Sequence, residues 1–278
     1  MINAFPQSTP CRFANLPNSQ YHQSEGVSKS GVMLLLRSPQ HYLAAYESQR
    51  SQTPLMLLGS LVHTLVLEPE KFYLEYAVAM QCDRRTKAGK AEWEAFEAAS
   101  VGKTIITAEQ LEHAQAMAAA VRAHQFAGPA LNGIEAEHSF YWHDAESGVL
   151  AKCRPDAIKT VSSGLVLLDL KTTDDASPQA FAKTCAAHGY HVSAAMSMDG
   201  VEAVTGQRPL SYRFVVIERN PPYGIAVYEL EDQAVSFGRM LYRSALQVFR
   251  DCTDIGEWKG YPTATQKIDL PKWAYFEA

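Results

Sequence analysis

The spacing of apolar positions changes period twice along the chain. Over residues 28–47, Val32, Leu35, Leu36, Tyr42 and Tyr46 recur near helical spacing, and Ser38-Pro39 interrupts them. That predicts two short helices with a turn between. Residues 59–67 carry Leu61, Val62, Leu65 and Val66 on one face, which predicts a helix stopped by Glu68-Pro69. Residues 82–102 turn polar. A helix over 107–124 is expected next, because Thr107 with Gln110 forms a capping box. The middle of the chain alternates instead. Residues 138–143 and 148–158 read as half-buried strands joined by a turn at 144–148. The run Leu165-Val166-Leu167-Leu168-Asp169-Leu170 reads as a strand covered on both faces. Helices over 178–187 and 190–204, strands over 212–218 and 225–229, and a long helix over 232–252 complete the pattern. Residues 1–20, with Pro6, Pro10 and Pro17, read as an irregular arm ahead of a single domain over 21–278, whose C-terminal tail is also irregular. The order of elements predicts an α/β fold with one central mixed sheet flanked by helices.

Composition narrows the function classes. Of 278 residues, 47% are hydrophobic and 20% charged, the balance of a soluble globular protein. Neither a membrane-spanning run nor a signal peptide is legible. The net charge of −5 argues against a protein that coats nucleic acid over its whole surface, but leaves room for a local basic groove. Such a groove has a candidate in Asp83-Arg84-Arg85-Thr86-Lys87-Ala88-Gly89-Lys90, four basic residues against one acidic, a local charge of +3. The five cysteines lie far apart with no Cys-x-x-Cys, which excludes an iron–sulfur cluster and zinc ribbons and fits free thiols in a reducing cytoplasm.

Chemistry concentrates in Arg154-Pro155-Asp156 and Asp169-Leu170-Lys171. Strand periodicity puts Asp169 and Lys171 on one face, and pairing of the two strands as a hairpin brings Asp156 toward it. Two carboxylates crowded together repel, and a divalent cation removes the conflict. Lys171 could then orient and help deprotonate a water, or offset charge on a phosphorane. An ordinary Asp–Lys ion pair at a strand end is the alternative. His63, on an otherwise apolar helix, reads as readily as a core histidine as a ligand. Glu137, heading a strand, could orient a ligand or simply be solvated. Arg154 suits bidentate phosphate contact or a salt bridge. Trp93, Trp142, Trp258 and Trp273 read as core or interface residues.

Arg154-Pro155-Asp156 followed by Leu168-Asp169-Leu170-Lys171-Thr172-Thr173 resembles the core of the PD-(D/E)XK nucleases. Within them, the chain resembles the RecE, or exodeoxyribonuclease VIII, type of phage and prophage recombination exonuclease. Tyr21-His22-Gln23-Ser24-Glu25-Gly26, Leu58-Gly59-Ser60-Leu61-Val62-His63 and Leu67-Glu68-Pro69-Glu70-Lys71-Phe72 carry the likeness, as do Gly189-Tyr190-His191-Val192 and Pro221-Pro222-Tyr223. The resemblance implies a restriction-endonuclease-like fold and a Mg²⁺-dependent exodeoxyribonuclease, with Mn²⁺ as a substitute. It implies 5′→3′ degradation of one strand of linear double-stranded DNA, leaving 3′ overhangs. Further implications are a homo-oligomeric ring (a tetramer) around DNA ends, a RecT-type single-strand annealing partner, no membrane, and a bacterial cytoplasm of phage or prophage origin. Carried over by position, His63, Asp156 and Asp169 match metal ligands, the Leu170 carbonyl a further ligand, and Lys171 the catalytic lysine. Glu137 resembles a frequent acidic residue of RecB-type nucleases. Arg84, Arg85, Lys87, Lys90 and Arg154 are the candidates for DNA phosphate. One departure stands out: Ser193 and Ser197 occupy the helix positions where such enzymes usually carry Gln and Tyr, while Tyr190 and His191 are expected to face the site. Two rival readings remain at this point, an endonuclease or single-strand processing nuclease on the same core, and a catalytically silent DNA-end-binding subunit.

Overall fold

A computed structural model describes residues 6, 8–47, 53–271 and 275; Trp273 lies outside the described residues. In chain order the elements are β1 (Cys11–Phe13), α1 (Asn18–Gln23), α2 (Lys29–Arg37), α3 (Pro39–Glu47) and α4 (Pro54–Leu67). After a 3₁₀ turn at Pro69–Lys71 come α5 (Phe72–Glu75), β2 (Tyr76–Val78), α6 (Lys87–Ala99), β3 (Thr104–Ile106), α7 (Ala108–Ala123) and α8 (Ala127–Ala130). Next are β4 (Glu135–Ala136), β5 (Ser139–His143), β6 (Leu150–Cys153), β7 (Ala157–Val161) and β8 (Gly164–Thr173). The chain ends with α9 (Pro178–His188), α10 (Tyr190–Thr205), β9 (Ser211–Glu218), β10 (Ile225–Glu229) and α11 (Asp232–Ile255). Among the described residues, no helix is long and apolar enough to cross a membrane.

A five-stranded mixed sheet, ordered β10-β9-β8-β7-β4, forms the centre. Only the β8–β9 pair is parallel, with α9 and α10 as the crossover. The expected burial of β8 on both faces holds. Leu167 faces the layer of α2, α9, α10 and α11, with Phe181, Val192, Met196, Phe214 and Leu246. Leu170 faces α4 and α7, with Leu61, Val62, Met117 and Val121. A second, antiparallel sheet, β1-β5-β6, covers the far side of α10, with Phe140, Trp142 and Cys153 in the same core. Strands β2 and β3 form a separate parallel pair.

Four expectations change. The strand anticipated over 148–158 is two strands in two sheets, because Pro155 has no N–H to continue a ladder and bends the chain out of β6. The helix expected from Gly59 starts at Pro54, where Thr53 accepts from Met56 N and Pro54 occupies the first turn. The polar stretch 82–102 contains α6, capped by Thr86, whose hydroxyl accepts from Gly89 N. Its Ala- and Glu-rich sequence is a good helix former with a weak apolar stripe. The N-terminal arm contributes β1, three residues between Pro10 and Pro17 that pair with β5 and are too short to show alternation. Other expectations stand: the capping box at Thr107 is present, and all five cysteines are free. Trp142 is buried in the core, Trp258 stacks on Tyr42, and Trp93 packs on Phe96.

Candidate metal centre

The site forms where the chain crosses between the two main sheets. One crossing is residues 137–138, between β4 and β5; the other is residues 154–156, between β6 and β7. Both deliver acids. Glu137 takes a left-handed backbone conformation (φ 53°), costly for a residue with a side chain. Its N–H donates to the Asp156 carbonyl at 3.0 Å and joins the two crossings. The hairpin register pairs Ala157 with Leu168, so Asp156 stands at the level of Asp169. Asp156 Oδ2 accepts from Leu170 N at 2.7 Å, which fixes the carboxylate against β8.

Helix α4 brings His63. Leu61, Val62 and Leu65 bury its apolar stripe, which leaves His63 half-buried over β8. Its Nε2 lies 2.6 Å from the Leu170 carbonyl oxygen. A carbonyl can only accept, so Nε2 carries the proton, which leaves Nδ1 as the nitrogen turned inward. That Nδ1 faces Asp156 Oδ2 at 3.6 Å. Two acceptors pointed at one another call for a cation or a proton between them. His63, Glu137 and Asp156 each offer a ligand atom within 4.8 Å of the others. One nitrogen and hard carboxylate oxygens fit a divalent ion such as Mg²⁺ or Mn²⁺. Glu137 also feels the crowding: burial, and then the Asp156 charge, push its carboxyl well above the usual range, while Arg154 at 3.9 Å opposes the shift.

Asp169 and Lys171 sit on the other face of β8, and their side chains are bonded to each other. Lys171 Nζ is 4.0 Å from Asp156 Oδ2 and 5.3 Å from the Tyr190 ring. Burial lowers the Lys171 pKa, against the pull of Asp156 and Glu137. An ammonium so placed gives up a proton more readily than a solvated lysine. The second Asp169 oxygen accepts from the Tyr212 hydroxyl.

Of the residues singled out from sequence, His63, Glu137, Asp156, Asp169, Leu170 and Lys171 converge here, with Tyr190 alongside. Glu137 rather than Asp169 completes the tightest donor set. The Leu170 carbonyl is engaged by His63. His191 does not face the site: its ring stacks on Phe237 of α11 at 5.8 Å. Tyr190 and His191 are successive helical residues, and only one can look toward β8. Arg154 is committed to protein partners, namely Ser139 Oγ at 2.8 Å, the Leu16 carbonyl at 3.0 Å and the Tyr21 ring at 4.2 Å. Its side chain is 8% exposed and lies 3.9 Å from the Glu137 carboxylate. Arg84 stacks on Trp93 and Arg85 pairs with Asp83, whereas Lys87 and Lys90 are exposed in the first turn of α6. Two residues escaped sequence reasoning. Tyr212 sits in an apolar strand with nothing local to mark it. Lys29, which lies 5.6 Å from the Tyr190 ring and donates to the His188 carbonyl, looks in sequence like an ordinary first-turn residue.

A crystal structure of a protein from Eubacterium rectale, named a "putative exonuclease", superposes with a TM-score of 0.57 at 12% identity, over 95% of this chain and 99% of that one. At that identity the likeness speaks for the fold alone. A second solved structure, SSO0001, aligns with a TM-score of 0.31 at 14% identity, over 72% of this chain and 86% of its own, and carries no argument. No curated protein matches the sequence. Residues 28–271 match the PDDEXK-like domain of unknown function (DUF3799). The chain therefore belongs to that family, and so to the PD-(D/E)XK nuclease superfamily, with its mixed sheet flanked by helices.

Proposed function

We propose that this protein is a divalent-metal-dependent nuclease that degrades linear double-stranded DNA from its ends. The observation that carries the reading is the meeting of His63, Glu137 and Asp156 with the Asp169–Lys171 pair at one sheet crossing. A bound Mg²⁺ or Mn²⁺ would supply charge stabilisation on the phosphate and acidify a coordinated water. The chain's own residues do the rest. His63 is oriented by the Leu170 carbonyl, Asp156 by the Leu170 amide, and Lys171 holds a labile proton beside both aspartates. Once it has given up that proton, Lys171 can take one from the attacking water; while it holds it, the ammonium can donate a hydrogen bond to a phosphate oxygen. Lys87 and Lys90, at a helix N-terminus whose dipole adds to their charge, suit contact with the DNA backbone. The likeness to RecE-type enzymes supports the finer reading: 5′→3′ removal of one strand, leaving 3′ overhangs, by a ring-shaped homo-oligomer that hands its product to an annealing protein.

Digestion of end-labelled linear duplex, with a closed circle in parallel, tests the reading. We expect nucleotide release from the linear DNA with Mg²⁺ or Mn²⁺, none with EDTA, and an intact circle. Lys171→Ala should slow release by at least ~100-fold, the scale of general acid–base contributions. Activity that survives both EDTA and Lys171→Ala would overturn the proposal, and nicking of the circle would make the enzyme an endonuclease.

A further inference from the structure

Asp169 is held at both oxygens. Lys171 bonds Oδ1 and the Tyr212 hydroxyl donates to Oδ2. The Tyr212 ring projects from β9, which runs parallel to β8 with Leu167 opposite Tyr212, and the residue is 3% exposed. A carboxylate oxygen can only accept, so the Tyr212 hydroxyl is the donor. A phenol that donates once still has acceptor capacity. Ser193 and Ser197, one turn apart on α10, bring their hydroxyls to the same phenol oxygen. Both are short side chains. Packing alone would be served as well by phenylalanine, since the ring already lies against Phe214 at 5.1 Å. The hydroxyl is therefore what needs explaining.

We propose that Tyr212, seated beside Ser193 and Ser197, is a positioning residue that caps Oδ2 of Asp169, so that Oδ1, which Lys171 bonds here, is the single oxygen a metal ion would take. The inference rests on the metal-nuclease reading above. A carboxylate capped on Oδ2 cannot swing or chelate with both oxygens, so Oδ1 is aimed beforehand, and an arriving ion has only the Lys171 ammonium to displace from it. On this account the two serines are not the remains of a lost catalytic pair. They make room for a hydroxyl delivered from the neighbouring strand instead of from the helix.

Calorimetric titration of the full chain with Mn²⁺ tests this, on wild type, Tyr212→Phe, Asp169→Asn and the double variant Ser193→Ala/Ser197→Ala. Wild type should bind and Asp169→Asn should lose affinity. Tyr212→Phe should bind ~10- to 100-fold more weakly, the usual cost of losing a partner behind a metal ligand, and the serine pair a few-fold more weakly. Hydrolysis of linear duplex by Tyr212→Phe should recover as Mn²⁺ is raised, with KM for DNA unchanged. Equal Mn²⁺ affinity in wild type and Tyr212→Phe would overturn the positioning role while leaving the nuclease reading intact. Absence of Mn²⁺ binding by wild type would instead overturn the nuclease reading itself. Should thermal melting find Tyr212→Phe unfolded, the serine pair carries the test, and a folded pair with wild-type affinity overturns the proposal.

Discussion

At the scale of single residues, the site is a problem in crowding. Glu137 and Asp156 share a small, partly buried volume with His63, and the strain appears in the proton affinity of Glu137. Burial and the neighbouring charge raise its pKa from 4.5 to about 8. Across that interval the folded protein binds more protons than the unfolded chain, so stability falls as pH rises through it. This is the reverse of an ordinary salt-bridged carboxylate. In EDTA, Glu137→Gln should therefore flatten the decline between about pH 5 and pH 8. It should also gain on the order of 1–2 kcal/mol over wild type at the upper end, one pKa unit being about 1.4 kcal/mol. Urea unfolding at several pH values measures this, and parallel pH slopes in the two proteins would refute it. Metal affinity should move the other way and rise with pH, because the ion displaces that same proton.

Elements place these residues in two ways. Sheet crossings supply the acids, and close helix packing supplies the floor. Helix α11 approaches α10 at Gly238, where an added β-carbon would lie 2.2 Å from the His191 carbonyl oxygen. The obstacle is backbone and cannot rotate away, so Gly238→Ala must push the helices apart. That should cost ~1–3 kcal/mol, the usual penalty for overpacking, and a thermal melt reads it directly. Displacement of α10 would carry Tyr190, Ser193 and Ser197 with it, so activity should fall more than stability alone explains. The N-terminal segment is tied down differently. Lys152, 4% exposed, donates to the Tyr21 and Ser24 carbonyls at 2.7 and 2.6 Å. Arg154 reaches the Leu16 carbonyl. The tie explains how residues with so little pattern of their own are held against β6.

At the scale of the whole molecule, the proposed function requires a chain of net charge −5 to concentrate its cations where DNA would lie. Lys87 and Lys90, without the neighbours that engage Arg84 and Arg85, are the groups best placed to release counterions on binding. Lys87→Glu with Lys90→Glu should weaken duplex binding uniformly across sequences. It should also reduce the slope of log affinity against log salt by about one unit for each phosphate that is no longer neutralised. Fluorescence anisotropy over a salt series measures both, and an unchanged slope would remove α6 from the DNA interface.

Sequence by itself determined the local elements and the chemical inventory. Apolar periodicity specified α2 and α3, the capping box marked the start of α7, and an unbroken apolar run marked the buried β8. The Asp156, Asp169 and Lys171 motif was legible because such a cluster of charge beside apolar strands has few uses, whereas His63 stood out only through the resemblance to RecE-type enzymes. Only tertiary structure decided the rest. Pro155 marked a break, but which sheet each half of 148–158 would join depended on partners far along the chain. Glu137 and His63 became neighbours through the packing of α4 on β8, and His191 was turned away by its phase on α10. Tyr212 could not be read as part of the site, since nothing local distinguishes a strand tyrosine that fills a core from one whose hydroxyl meets an aspartate on the next strand. The meeting of distant segments is set by three-dimensional register, and a one-dimensional pattern holds no record of it.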